Sequence, residues 1–275
     1  MRNCLLTLIL LTTLSTSYSQ TKKIWFPDGL NIQPFTANFL EPRAGFSYLT
    51  GLDNIRLDIG TSSDIYKIII NNKTISFGAD LFTYTRLEAT KEFRFPVKTI
   101  DYLFGFNAGY KKSKGDKTYG FRLRLSHISA HLVDGSYNSQ NPSWSVINSP
   151  ITYSREFFEL FPFYKYCNFR VYTGFTYLLH IIPKNFGRWI FQAGFDYYSD
   201  SFIAENISPF IAYDFKLSKI NAYSGNNIIC VGIKFGKYDG KGVSLLYSYL
   251  SGKSIHGEYY NLNEDYSTIG INFDL

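Results

Sequence analysis

Long hydrophobic runs are scarce in this 275-residue sequence once the first twenty residues have passed. No later stretch holds eighteen consecutive apolar residues, so the sequence predicts no transmembrane helix after that point. Cysteine is rare as well, with three in total, and neither a CxxC nor an HExxH spacing occurs. These absences exclude the common zinc motifs, and we expect no cofactor and no metal site.

Clusters of basic residues are also missing, although the formal net charge is +6. Nucleic-acid-binding chains concentrate Lys and Arg on one face or carry a recognition motif, and neither pattern is present. We therefore expect no nucleic-acid partner. A dispersed positive charge instead suits contact with anionic lipopolysaccharide.

The first nineteen residues have the pattern of a signal peptide. Arg2 supplies a positive charge, residues 4–14 are mostly apolar, and residues 15–19 are mostly small. We expect cleavage between Ser19 and Gln20, followed by export. Two cysteines remain, Cys167 and Cys230, and because one falls in an expected turn and the other in a strand, we expect two free thiols.

Aromatic residues, in contrast, are unusually abundant. They make up 19% of the chain, with 23 Tyr and 25 Phe. Membrane-spanning β-barrels use Tyr, Phe and Trp in girdles at both membrane interfaces. The composition therefore favours an outer-membrane protein over a soluble one.

Alternation with a period of two runs through most of the chain and predicts strands. Residues 226–236 show it clearly: one face carries Ile229, Val231, Ile233 and Phe235, and the other carries Cys230, Gly232, Lys234 and Gly236. An apolar face opposite a face of glycine and charge is typical of a barrel wall between lipid and lumen. We predict an all-β, antiparallel transmembrane β-barrel of about 12 strands with an N-terminal arm.

The predicted strands divide the chain into three parts: a signal peptide (1–19), an arm (20–42) and a barrel (43–275). The strands are 54–60, 65–71, 74–88, 101–111, 117–131, 152–165, 168–180, 187–198, 207–217, 226–236, 242–252 and 265–275. The apolar segment 43–50 is interpreted as extending or preceding the first strand. The last strand resembles the signal read by the barrel assembly machinery, which we expect as a partner during biogenesis.

Loop lengths orient the predicted barrel. The long connections 89–100, 132–151 and 253–264 fall on one side and short turns on the other, so the long loops are expected outside the cell. Charges of both signs face the expected lumen, including Asp80, Arg122, Arg124 and Asp214. A lumen filled by ion pairs is favoured over a small pore, because no single sign of charge lines the wall.

The segment 125–132 carries the pattern with most chemical content. Phe121, Leu123 and Leu125 define the lipid face of its strand, and His127 and Ser129 continue that face. A serine hydroxyl becomes a useful nucleophile when a histidine accepts its proton and a third group orients the histidine. The candidate catalytic residues are therefore Ser129 as nucleophile, His127 as base and Glu156 as orienting acid.

Other assignments remain open for these residues. Asp134, Asn138 and Asn141 are rivals of Glu156, and His131 and Arg155 belong to the same motifs. The polar residues near the rim can also serve only as hydrogen-bonding partners of lipid head groups or loops. Metal binding by His127 and His131 is a third interpretation, although four residue steps along a strand place them about 13 Å apart.

Two resemblances extend these interpretations. The tripeptide His127-Ile-Ser129 resembles the outward-facing His-x-Ser pair of outer-membrane phospholipase A and the lipid A 3-O-deacylases, which implies lipid ester hydrolysis. A broader resemblance, to an uncharacterised bacterial family defined only as a domain of unknown function, rests on four segments: Trp25–Gly29, Glu41–Arg43, Ser126–Leu132 and Tyr153–Glu156. It implies an exported envelope protein.

The sequence thus leads to three functional hypotheses. The general one is an outer-membrane barrel without an assigned activity, surrounded by outer-membrane lipids and lipopolysaccharide. The enzymatic alternative is a serine-type lipid esterase that uses Ser129 and His127. The third is a narrow porin for small solutes.

Overall fold

The computed structural model describes residues 21–91, 93–144, 150–199 and 206–274, and the expected signal peptide lies outside them. Strands dominate this part of the chain, with short 3₁₀ turns at Asp134–Ser136 and Gly257–Tyr259. The strands are β1 Thr21–Trp25, β2 Ala44–Thr50, β3 Asn54–Ile70, β4 Lys73–Glu88, β5 Val97–Lys114, β6 Lys117–Leu132, β7 Tyr137–Asn138, β8 Ser143–Trp144, β9 Tyr153–Tyr166, β10 Phe169–Ile182, β11 Trp189–Tyr198, β12 Ile207–Ile220, β13 Ala222–Gly236, β14 Gly242–Lys253 and β15 Asn263–Asp274.

Twelve of the described strands, β2 to β6 and β9 to β15, close into an antiparallel barrel. Each pairs with its neighbour in sequence, and β15 pairs with β2 to complete the ring. The predicted all-β barrel of twelve strands is confirmed. The described residues contain no helix with the length and hydropathy needed to cross a membrane.

The assignment of the first two strands was wrong, although the count was right. Segment 44–50 is a barrel strand of its own, and 54–70 is one continuous strand rather than two. A β-bulge between Asp64 and Tyr66 explains the second error. The extra residue of a bulge exchanges the residues that face lipid with those that face the lumen. In the sequence this exchange interrupts the alternation, as a turn between two strands would.

The wall separates two chemically different surfaces. Its exterior carries exposed large apolar side chains such as Phe106, Leu125 and Phe158. Its interior buries charges such as Arg122 and Asp214. This arrangement is the alternation expected when lipid lies on one side of a strand and a polar lumen on the other.

The two-residue turns and the three long predicted loops lie at opposite ends of the barrel. Two-residue turns follow β3, β5 and β9, at the end where the arm enters, which we call the turn end. The connections 89–96, 133–152 and 254–262 lie at the opposite end, which we call the loop end. The long predicted loops therefore share one side, as expected.

The N-terminal arm begins outside the barrel and then enters it. β1 pairs with the turn-end half of β3, and the rings of Trp25 and Tyr66 lie 4.6 Å apart on the exterior. β2 pairs only with residues 54–58 of β3, so residues 59–65 lack a strand partner on that side. The arm passes inward beside this gap, where a cavity of about 560 Å³ opens at the turn end.

Glu41 is the centre of an ion cluster that fixes the arm inside the lumen. Its carboxylate accepts hydrogen bonds from both terminal nitrogens of Arg122, at 2.7 and 2.5 Å, and lies 3.4 Å from Arg124. Arg124 also contacts Asp80 at 2.9 Å and Glu159 at 3.3 Å. All these side chains are buried, and their mutual pairing offsets the cost of removing each charge from water.

Phe35 anchors the arm nearer the turn end. The guanidinium groups of Arg122 and Arg170 lie 4.9 and 4.5 Å from its ring, and Phe161 stacks on it at 5.0 Å. Arg170 also donates to the carbonyl of Gln33 at 2.8 Å. The residue is completely buried, and each cation–π contact adds roughly 0.5–2 kcal/mol to its hydrophobic burial.

A second insertion fills the lumen from the loop end. His256, in the connection between β14 and β15, is buried, and its Nδ1 lies 2.8 Å from the carboxylate of Asp101. The backbone NH of Gly257 donates to the same carboxylate at 2.7 Å. Around this contact, apolar side chains including Phe82 and Leu103 pack into one core. The lumen is therefore occupied from both ends.

The ion cluster gives a stability prediction. Glu41→Gln leaves Arg122 and Arg124 short of a buried partner and is expected to destabilise the barrel by about 3–5 kcal/mol. Equilibrium unfolding in detergent measures this change. Glu88→Gln removes a half-exposed ion pair with Lys98 and should stay within about 0.5 kcal/mol. Equal losses in the two variants would contradict a central role for Glu41.

The two insertions give a conductance prediction. The intact barrel should show no stepwise conductance in planar bilayers, because the arm and the 254–262 loop both fill the lumen. Removing either one alone should leave it closed, and removing 21–41 together with 255–261 should open it. Heat-dependent gel mobility checks that each variant is folded. Conductance by the intact protein would refute a closed lumen.

Candidate active site on the outer wall

The candidate residues lie on four adjacent strands near the loop end. Strand pairing aligns Phe104 of β5, His127 of β6, Glu156 of β9 and His180 of β10 in one row across the wall. The residues on either side of His127, Ser126 and Ile128, are buried toward the lumen. The row therefore faces outward, toward the surface that is expected to meet lipid.

Glu156 joins two histidines. One carboxylate oxygen lies 2.7 Å from Nδ1 of His127, and the other lies 2.7 Å from Nδ1 of His180. The ring of Phe104 packs 5.0 Å from that of His127 on its other side. A neutral histidine that donates through Nδ1 presents an unprotonated Nε2, which is the atom that accepts a proton from a serine.

Ser129 occupies the next outward position on β6. It pairs across the sheet with Tyr102 on one side and with Ser154 on the other. In the described part of the chain, its hydroxyl makes no hydrogen bond to His127. Catalytic hydrogen bonds of unliganded sites are often long and tighten when substrate binds.

The outward-facing rows of side chains on either side of the histidine row indicate the level of the site along the barrel wall. Toward the turn end, the next row is Phe106, Leu125, Phe158 and Tyr177, which is apolar or aromatic throughout. Toward the loop end, the next row contains Tyr102, Ser129 and Ser154. The histidine row therefore lies where the apolar exterior gives way to polar side chains, as at a boundary between acyl chains and head groups.

The remaining motif residues do not join this cluster. His131 is exposed further along β6, where its ring packs 5.9 Å from that of Tyr102. Arg155 points into the lumen, opposite to Glu156. Asp134 begins a 3₁₀ turn, and its side chain lies outside the described part of the structure.

The two asparagine rivals of Glu156 lie in the 133–152 connection. The side chain of Asn138 accepts hydrogen bonds from the backbone NH groups of Gln140 and Asn141. Neither asparagine contacts His127 among the described residues, whereas Glu156 does. No group of three or more His, Cys, Asp or Glu side chains in the described residues has an arrangement that could hold a metal ion.

His180 was not among the candidate residues, because it stands isolated in the sequence. Odd-numbered residues of β10, such as Phe175, face outward, so the alternation assigns His180 to the lumen. A register shift between Leu178 and His180 reverses the faces and places His180 opposite Glu156. Only the pairing of β9 with β10 reveals this bulge.

A closed antiparallel barrel with an apolar exterior and a charged interior defines the class: the chain has the fold of an outer-membrane β-barrel protein. Residues 100–275 match the family described as Protein of unknown function (DUF1207), and the chain belongs to that family. Curated protein sequences include none that matches this chain.

Solved structures with this fold include outer membrane phospholipases. Outer membrane phospholipase A from Escherichia coli is similar with a TM-score of 0.55 and 12% identity, over 89% of this chain and 94% of that one. A Salmonella typhi outer membrane phospholipase dimer with bound calcium is similar with a TM-score of 0.56, 12% identity and the same coverage. At these identities the likeness extends to the fold alone.

Proposed function

We propose that this protein is a serine-type esterase that cleaves acyl ester bonds of outer-membrane lipids. The observation that carries the proposal is the 2.7 Å contact between Nδ1 of His127 and the carboxylate of Glu156 on the outward face of the wall. Ser129 shares that face two positions along β6. The three side chains supply a nucleophile, a base and an orienting acid.

In this proposal the chain reaches the outer membrane by export. Residues 1–19 act as a cleaved signal peptide, residues 20–42 form the arm, and the barrel assembly machinery inserts 43–275. The loop end then faces the outside of the cell, where lipopolysaccharide and phospholipid surround the wall. The row of His127 lies at the depth of the acyl ester bonds in the outer leaflet.

The chemistry proceeds by acyl transfer. The hydroxyl oxygen of Ser129 attacks the ester carbonyl, and its proton passes to Nε2 of His127. The ester C–O bond breaks, the leaving alcohol takes that proton, and the acyl group remains on Ser129. Water then releases the fatty acid by the reverse sequence, with Glu156 stabilising the imidazolium at both steps.

The alternatives have less support from particular contacts. A porin needs an open lumen, whereas the arm and the 254–262 loop fill this one. A purely structural barrel does not require two histidines to share one carboxylate on the outward face of the wall. The proposal is further supported by solved structures that share the fold and are named outer membrane phospholipases.

The activity prediction concerns the nucleophile. Purified protein should release fatty acid from detergent-dispersed phospholipid or lipopolysaccharide, and Ser129→Ala should reduce the rate by about 10³-fold or more. Glu156→Gln should lower it by roughly 10²- to 10⁴-fold, because the orienting carboxylate is lost. Titration of released acid measures each rate.

Thr173→Ala is the matched control. It removes an outward hydroxyl from β10 near the turn end, away from the histidine row, and should leave the rate unchanged. No acid release by the wild type on either lipid, or full activity in Ser129→Ala, would overturn the proposal.

His180 gives a second activity prediction, because it holds the other oxygen of Glu156. His180→Gln should lower kcat between about two- and tenfold without changing KM, since the carboxylate loses one of its two anchors. The double variant Glu156→Gln/His180→Gln should be no slower than Glu156→Gln alone, because His180 acts through Glu156. A raised KM, or additive losses, would show that His180 acts in another way.

A further inference from the structure

Two buried cations of the lumen have no described carboxylate in contact with them. Within the described part of the chain, seven basic side chains of the interior lie within 4.0 Å of a carboxylate: Arg56, Lys67, Arg86, Arg122, Arg124, Arg170 and Lys234. Arg155 and Lys216 have no such partner there, although they are 9% and 8% exposed. A buried charge without a counter-ion in contact with it is costly, so this exception requires an explanation.

Arg155 is the more isolated of the two. Its Nε is shielded from solvent and has no hydrogen-bond partner. Its guanidinium lies 5.5 Å from the centre of the Tyr153 ring, in a cation–π contact. Lys216 has a long contact of 3.5 Å to the side-chain oxygen of Asn38 and lies 4.2 Å from the ring of Phe39.

Both cations line the same cavity of about 50 Å³ near the loop end. By the space that a buried water needs, it holds roughly four waters or a small organic molecule of similar size. Glu159 is the one acidic residue in its lining, and Arg124 and Thr176 already engage that carboxylate. Lys253 also lines the cavity, and its ammonium donates to the carbonyl of Asn261. The lining therefore has more positive than negative charge.

The rest of the lining indicates what kind of anion fits. Much of it is apolar, and it includes Phe157, Leu178 and Ile190. A planar carboxylate matches the parallel donors of a guanidinium, and a short hydrocarbon portion matches the apolar wall. Inorganic phosphate presents oxygens on every side, and the apolar wall would leave several of them without donors.

We propose that this cavity is a binding site for a small organic carboxylate held by Arg155 and Lys216. Entry is from the loop end, where the rings of Phe186 and Tyr260 line the cavity 5.0 Å apart. The site does not depend on the proposed esterase. Arg155 and Glu156 are neighbours in sequence, but their side chains lie on opposite faces of the wall.

The experiment uses the full barrel in detergent and butyrate as the probe, with butyramide as its neutral control. Butyrate should raise the thermal midpoint with increasing concentration, because a ligand of the folded state stabilises it. Butyramide and inorganic phosphate should produce no comparable shift. Equal shifts with butyrate and butyramide, or tighter binding of phosphate than of butyrate, would overturn the proposal.

Variants locate the binding. Arg155→Met should weaken butyrate binding at least about tenfold, measured by calorimetric titration. It should also raise the midpoint of the ligand-free protein, because a buried unpaired charge is replaced by an apolar side chain. Lys216→Met should weaken binding in the same direction, and exposed Lys184→Met should not. Unchanged affinity in both Arg155→Met and Lys216→Met would refute the site.

Discussion

The pairing of Glu41 with Arg122 and Arg124 is the contact on which the interior of this barrel depends. The inward side chains of a twelve-stranded wall do not fill the lumen by themselves. Many of these side chains are charged. One carboxylate from the arm satisfies two guanidinium groups of β6. The same segment brings Phe35 between Arg122 and Arg170. The arm thus supplies both the charge and the apolar bulk that the lumen lacks.

At one level of the barrel wall, neighbouring residues of the same strand belong to two different candidate sites, one inside the lumen and one on the exterior. On β9, Arg155 points inward to a positively charged cavity, and Glu156 points outward between two histidines. Alternation along one strand allows this, because adjacent side chains lie on opposite sides of a sheet. The lumen behind the outward row is filled, and packing behind a site supports the position of its side chains. An outward site on a barrel needs that support, since no second layer packs over it.

The strand count and the lumen charges followed from alternation, because one apolar and one polar environment impose a period of two on every spanning strand. The same reasoning failed at the two bulges described above. At Asp64 and Tyr66 the reversal of faces divided one strand into two in the prediction. At Leu178 and His180 the register shift places His180 beside Glu156, which alternation along β10 alone does not predict. Bulges depend on the partner strand, and the residues of one strand alone do not specify them.

The sequence by itself determined the barrel class, the direction of the His127 and Ser129 side chains, and the candidacy of Glu156, because each follows from local alternation and residue type. Tertiary structure decided that Glu156 contacts His127, that His180 shares Glu156, and that Arg155 and Lys216 lie in one cavity with no described carboxylate within 4.0 Å of either. These facts arise from cross-strand register and from the path of the arm. Both are long-range contacts, set by how the closed ring packs, and no single stretch of residues encodes them.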